Sequence, residues 1–309
     1  MRSAASPADP MAAQDVRGAL GAAIARLEAD GVPSAPLAAE LLLLHVLGRD
    51  RDRAFLYAHP EAVLDVDQAA LFARLIEQRS SGTPVQYLTG RQEFWGLEFE
   101  VNPSVLIPRP ETEHVVEVAL ARMGARRGDR LSVADVGTGS GCLAVALASE
   151  LPHAQIVATD ISPAALEVAR RNATRHGVAS RVEFCQTNLL GGDLADSRRA
   201  EPRFDLIVSN PPYIGLAEAA SLPPEVREHE PHAALFGGEE GAEIYAPLIA
   251  QAAALLRDGG WLVVELGHQS APRVAPLVET VAWSHVAVER DLAGIERVLF
   301  ARRVARQSA

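Results

Sequence analysis

Lysine is missing altogether: all 29 basic residues of the 309-residue chain are arginine. Schiff-base, serine–lysine and P-loop lysine chemistry are thereby excluded. Cysteine is nearly absent, and Cys142 and Cys185 are far apart with no C-x-x-C spacing, so no disulfide framework is expected. Both read as small core residues in a reducing, cytoplasmic compartment. No apolar run approaches the roughly 18 residues of a membrane span; the densest is Leu41 to Leu44. The N-terminus lacks a charged stretch followed by a sustained apolar one, which argues against a secretory signal. Asp9 and Asp15 argue against an organellar transit peptide. A net charge of −11 disfavours broad capture of a phosphate backbone, so no direct nucleic-acid partner is expected. What is present, 48% hydrophobic residues with moderate charge, describes a globular chain able to bury a full core.

The length suits about two domains. Residues 1–12, rich in Ala, Ser and Pro, read as a disordered lead-in. Val16, Leu20, Ile24 and Leu27 repeat at helical spacing up to Gly31. Pro36 suits the first turn of a second helix that Gly48 stops. A short helix over Asp52 to Ala58 and another capped by Asp67 and running to Arg79 complete a helical domain over 13–80. Ser80 to Pro84 interrupts the periodicity, and 81–108 reads as a linker with a hairpin around Gly96. The proline-dense segment Leu106 to Glu113 then forms an ordered loop feeding a helix from Thr112 to Met123.

From Leu131 the period changes. Strand-like runs (131–136, 155–159, 181–185, 204–209, 261–266) alternate with helical stretches (141–150, 163–176, 242–257, 270–281). This is the pattern of a parallel sheet covered on both faces. Ser284 to Glu289 and Ile295 to Ala301 are joined by a turn too short for a parallel crossover and therefore pair antiparallel. The second domain spans 109–304, Gly191 to Pro202 has loop composition, and 305–309 is a tail. His229 and His232 have no third ligand at metal spacing and read as loop residues, so no metal is expected.

Two constellations carry chemistry. Asp135, Gly137, Thr138, Gly139, Ser140 and Gly141 follow the first strand of the alternating region and open its first helix. Glycines there admit close approach of a ligand, and the helix start supplies free N–H groups. Asp160, ending the second strand, suits the two hydroxyls of a ribose. Loop and acid together point to a nucleoside cofactor and leave NAD and S-adenosylmethionine (AdoMet) both open. The second constellation, Asn210-Pro211-Pro212-Tyr213, follows the apolar strand Phe204 to Ser209. It therefore belongs at the carboxyl end of a sheet, where open α/β sheets bind ligands. The Asn210 side-chain oxygen and the Pro211 carbonyl can converge as two acceptors beside the Tyr213 ring. Two acceptors suit a planar NH2 group and leave its face open to an electrophile. Hydride transfer has no use for that arrangement, whereas nitrogen methylation needs it, so AdoMet is the expected cofactor. The plain alternative is a proline-stiffened turn.

Beyond this point the chain resembles the HemK-type release factor glutamine methyltransferases. The likeness rests on Pro84 to Gly90, Leu106 to Glu113, the 135–141 loop, Asn210 to Tyr213, Glu230-Pro231, Gly237-Gly238 and Asp291 to Arg297. It implies a seven-stranded class I, Rossmann-like AdoMet-dependent methyltransferase domain after a helical N-terminal, substrate-binding domain that helps hold the release factor, and a β-hairpin linker. It further implies methylation of the glutamine amide nitrogen (N5) in the Gly-Gly-Gln motif of peptide-chain release factors, modulating translation termination, by a monomer. By motif match, Asp135, Gly137 to Gly141 and Asp160 bind AdoMet, and Asn210 bridges cofactor and substrate. Pro211, Pro212 and Tyr213 line the glutamine pocket, and Arg109, Pro110 and Glu111 close over the cofactor side, Arg109 and Glu111 also meeting the substrate. Where the family commonly carries an Asp and then an aromatic near the adenine, this chain has Asn188 and Leu189.

The nearest rival is methylation of a glutamine in a large-subunit ribosomal protein with the same pocket chemistry. A nucleic-acid adenine-N6 or guanine-N2 methyltransferase would need a basic groove or a target-recognition domain, and the sequence offers neither.

Overall fold

Alternation decides the architecture of the larger part of the chain, as the computed structural model describes it over residues 15–192 and 203–305. The expected lead-in, most of the 191–202 loop and all of the tail beyond residue 305 lie outside those residues. The chain divides into two compact units, one up to Thr89 and one from Gly90 onward.

The first unit is helical: α1 (Val16–Ala29), α2 (Ala35–Val46), α3 (Arg53–Ala58), α4 (Val66–Ser80) and α5 (Val85–Thr89). Leu27, Leu42, Leu43 and Leu44 are wholly buried and, with Phe72, Leu75 and Ile76, form its core. Burying a leucine stabilises by roughly 1.5–3 kcal/mol, so these few side chains dominate the unit's cohesion. Asp15 caps α1 by accepting the Gly18 N–H at 2.7 Å. The cap of α4 is Asp65 and not Asp67: Asp65 accepts from the Gln68 N–H at 2.8 Å, and the Gln68 side chain accepts from the Asp65 N–H at 3.0 Å. That reciprocal pair satisfies two orphan donors, which Asp67, inside the first turn, could not do.

The second unit opens with the hairpin β1 (Arg91–Phe94) and β2 (Leu97–Glu100), followed by a 3-10 turn over Pro110–Thr112 and α6 (Glu113–Met123). Next come β3 (Ser132–Val136), α7 (Cys142–Glu150), β4 (Gln155–Asp160), α8 (Pro163–Arg175), β5 (Val182–Gln186) and β6 (Phe204–Ser209). After a small parallel pair, β7 (Ile214–Gly215) and β8 (Phe236–Gly238), enclosing α9 (Pro224–His229) and α10 (His232–Leu235), come α11 (Tyr245–Leu255) and β9 (Leu256–Glu265). The chain ends with α12 (Ala271–Val274), β10 (Trp283–Arg290) and β11 (Glu296–Arg303).

Seven strands form one sheet in the order β10-β11-β9-β6-β3-β4-β5. β3, β4, β5, β6 and β9 are parallel to their neighbours in that run, while β11 is antiparallel to both β9 and β10. Successive residues go to opposite faces. Val133, Leu206, Val208, Val263, Val298 and Phe300 pack with α6 and α7, whereas Ala134, Val136, Ile207, Leu262, Val264 and Leu299 pack with α11 and α12. The sheet is thus buried on both sides, and its carboxyl ends are left for loops.

Three sequence expectations change. The helix read over 270–281 is only α12 and a 3-10 turn, because Pro276 has no N–H to continue it. β9 begins at Leu256, five residues earlier than Trp261, through an irregular pairing with β6 that Gly259 and Gly260 disguise. Cys142 packs against the core as expected, but Cys185, half-buried on the edge strand β5, is not a core residue. Burial pushes the Cys142 thiol up to about 12, so it stays protonated. His229 and His232 fall on α9 and α10, and no group of three or more His, Cys, Asp or Glu able to hold a metal occurs among the described residues.

Candidate active site

Register places the two constellations side by side. Ser209 pairs with Val136 on one flank and with Val264 on the other, and its hydroxyl donates to the Val136 carbonyl at 2.7 Å. The residues that follow, Gly137, Asn210 and Glu265, therefore emerge together at the carboxyl end of β3, β6 and β9.

The loop after β3 is built in two layers. Asp135 is completely buried; its Oδ2 accepts from the Thr138 hydroxyl at 2.6 Å and from the Ala144 N–H at 3.1 Å. It thereby ties the loop to the first turn of α7, while Oδ1 is buried without a partner. Burial pushes this carboxyl up to about 7. Thr138 and Ser140 are buried as well, and the Ser140 carbonyl accepts from the Asn172 side chain at 2.9 Å. The outer layer is Gly137 and Gly139. Both have positive φ, and a Cβ on either would meet nothing within 4 Å, so open space lies over them. Gly141 differs: its Cβ would come within 3.0 Å of the Ala169 side chain, so this glycine serves helix packing. Asp160, half-buried, accepts from the Gly139 N–H and from the Ser162 N–H, each at 2.9 Å. A carboxylate has about four lone-pair directions, which leaves Asp160 capacity for further donors.

Asn210 donates its Nδ2–H to the Thr112 hydroxyl at 3.0 Å. No described residue bonds to its Oδ1 or to the Pro211 carbonyl. Thr112 comes from the proline-dense segment, whose geometry Glu230 fixes by accepting from the Ile107 N–H at 3.2 Å and pairing with the Arg109 guanidinium. Arg109 is thus committed to Glu230, and Glu111 is exposed. The Asn210–Tyr213 turn is held from behind by glycines that no other residue could replace. A Cβ on Gly237 would lie 2.3 Å from the Pro212 oxygen, and one on Gly267 would lie 2.7 Å from the Tyr213 ring. Tyr213 is half-buried and its hydroxyl pKa is raised by burial and then by the Glu265 charge. Asn188 is exposed; Leu189, at φ 52°, packs partly against the core beneath α11.

The structure thus brings Gly137, Gly139 and Asp160 together on one side and Asn210 to Tyr213 beside them. It turns Asp135, Thr138 and Ser140 inward as braces, keeps Asn188 on the outside, and engages Arg109 elsewhere. Sequence reasoning did not find Thr112, Asn172 or Gly267. It quoted Glu230 and Gly237 without a role, and met Glu265 only as part of the 261–266 run. Only Thr112 had a signal within reach, its place in the segment that the site borrows.

A parallel sheet closed by an antiparallel final hairpin, with a glycine loop after β3 and an acid at the end of β4, defines the class I AdoMet-dependent methyltransferase fold. The catalytic domain of hMettl16, in a complex with a 3′UTR hairpin, shares this fold at a TM-score of 0.54 and 15% identity, over 81% of this chain and 86% of that one. Residues 18–90 match the PrmC N-terminal domain family and residues 117–221 the methyltransferase small domain family. The release factor glutamine methyltransferase of Koribacter versatilis is 44% identical over 92% of this chain and 97% of its own length. That of Nitratidesulfovibrio vulgaris is 42% identical over 93% and 95%. The chain belongs to the release factor glutamine methyltransferase family.

Proposed function

We propose that this protein transfers a methyl group from AdoMet to the side-chain amide nitrogen (N5) of the glutamine in the Gly-Gly-Gln motif of peptide-chain release factors, and so modulates translation termination. The observation that carries the reading is the adjacency of an open glycine loop after β3 and an amide acceptor after β6, in a chain of this family.

The open space over Gly137 and Gly139 and the spare acceptor capacity of Asp160 fit AdoMet, the backbone approaching the ligand and the acid taking the ribose hydroxyls. When bound, AdoMet supplies an electrophilic methyl on a sulfonium sulfur. The protein's own residues do the rest. Asn210 Oδ1 and the Pro211 carbonyl accept the two N–H protons of the substrate amide, fix its plane and turn its face to the methyl donor. As the nitrogen gains positive character, these acceptors stabilise it until a proton leaves. Tyr213, kept neutral by burial, supplies an apolar wall with no competing anion. Asn188 and Leu189 are assigned to the adenine side, and Arg109 and Glu111 to the substrate side.

Methyl transfer from labelled AdoMet to a purified release factor, run beside ribosomal protein and duplex DNA, tests the reading. Label in the release factor alone is expected. Label in ribosomal protein or DNA instead would overturn the substrate assignment.

A further inference from the structure

Glu230 ends α9 and precedes Pro231, which keeps its backbone extended, at φ −88° and ψ 151°. Its side chain is 1% exposed, whereas Glu228, two residues earlier, lies on the surface. A carboxylate so deeply buried needs partners, and it has two. Oε2 accepts from the Ile107 N–H at 3.2 Å, and Oε1 pairs with the Arg109 guanidinium. Both partners lie in the proline-dense segment, 123 and 121 positions away in the chain. A buried ion pair contributes little net stability, because desolvation offsets its attraction. What this one fixes is geometry.

From Arg109 the contacts run on to the site without a gap. The Arg109 carbonyl accepts from the Thr112 N–H at 3.1 Å. Thr112, 2% exposed, then accepts through its hydroxyl oxygen from Asn210 Nδ2 at 3.0 Å. Pro108 and Pro110 leave little backbone freedom between these contacts. From Asn210 the chain itself leads through Tyr213, β7 and α9 back to Glu230, so bonds and backbone form a closed circuit. Displacing one member of it displaces the amide. We infer that Glu230 is a positioning residue, which acts through Arg109 and Thr112 to hold the Asn210 side chain in place for methyl transfer; this rests on the reading of Asn210 as a substrate acceptor. Arg109 serves the substrate side by holding this segment, not by touching the glutamine.

The test uses the full-length protein with E230A, E230Q and R109M. E230A removes both contacts of the carboxylate, while E230Q keeps one oxygen and so one contact. E230Q, nearly the same in shape, carries the test should E230A not fold. A displacement of about 1 Å near the reacting atoms can cost on the order of 10²-fold. On the release factor, kcat in E230A is therefore expected to fall about 10–100-fold, with E230Q between it and wild type, while KM and AdoMet affinity by calorimetry stay within about 3-fold. The double variant R109M/E230A is expected to be no slower than E230A, since both changes act through one contact. An arginine that met the glutamine itself would raise KM, and its loss would multiply with that of Glu230. The side-chain amide signals of Asn210 in heteronuclear NMR, assigned by their loss in N210A, are expected to shift in E230A and less in E230Q, while the backbone signals of Val298 and Leu299 in β11 stay in place. That readout needs no substrate, so it judges the circuit even if release factors prove not to be methylated, an outcome that would count against the substrate reading alone. Wild-type kcat in the Glu230 variants, a rise in KM without loss of kcat, multiplying losses in the double variant, or unmoved Asn210 signals would each overturn the inference.

Discussion

Asn210 and Glu265 sit one strand apart and respond to opposite kinds of removal. In the proposed mechanism Asn210 contributes an acceptor used mainly as positive charge develops on the substrate nitrogen. N210A is therefore expected to leave AdoMet binding within a few-fold and to lower kcat by roughly 10²–10³, as loss of one preorganised transition-state contact does. Calorimetry and initial rates on the same preparation check both halves; equal activity of mutant and wild type would remove Asn210 from the mechanism. Glu265 is a cost to folding. Its ordinary value of 4.5 is raised to about 7 by burial, so the unfolded state ionises first. Stability is fully present below about pH 4.5 and is lost as pH rises through about 7. At roughly 1.4 kcal/mol per pKa unit, the difference between pH 5 and pH 8 is on the order of 2–3 kcal/mol. Asp135, raised to about 7 for the same reason, adds to the wild-type trend. The comparison that isolates Glu265 is E265Q minus wild type: denaturant unfolding is expected to show the mutant's advantage widening from pH 5 to pH 8.

The site depends on how a few elements stop. β6 ends at a proline pair, β3 at glycines, and β9 at Glu265, and the parallel register brings all three ends level. The β7–β8 pair then closes behind the Asn210 turn at a distance only a glycine permits. G237A, with its Cβ at 2.3 Å from the Pro212 oxygen, must displace that turn. Its expected effect is a loss of methyl transfer out of proportion to any loss of Tm, since the sheet itself is not touched. Wild-type turnover in G237A would mean that the turn tolerates displacement. The long elements were legible in the sequence because their patterns are clean: unbroken apolar runs in β6 and β11, helical spacing in α1 and α8. The short ones were not. β7, β8, α9 and α10 are two to six residues long, too brief for a period, and are held by contacts distant in sequence, such as Ile214 with Phe236. α12 was overread because an apolar run counts as helical spacing until Pro276 removes a donor.

At the scale of the molecule, the two units have separate cores, one around Leu27 and Leu42 to Leu44, the other spread over both faces of the seven-stranded sheet. A fragment from Gly90 onward is thus expected to fold and bind AdoMet with near wild-type affinity, while its KM for a release factor rises at least 10-fold. A fragment with unchanged KM would make the helical unit dispensable for substrate binding. Residues proposed to meet a ligand were easier to find in the sequence than residues that brace them. Gly137, Asp160 and Asn210 belong to short local patterns, whereas Thr112 and Asn172 act through bonds to residues 98 and 72 positions away. The central claim is that the geometry serves one nitrogen on one glutamine. Tandem mass spectrometry of a release factor incubated with this protein and AdoMet addresses it directly, with a Gln→Ala variant of the Gly-Gly-Gln motif in parallel. One added methyl on the side-chain amide of that glutamine, absent in the variant, is the result the account predicts. A methyl on another residue, or one that persists in the variant, would contradict it.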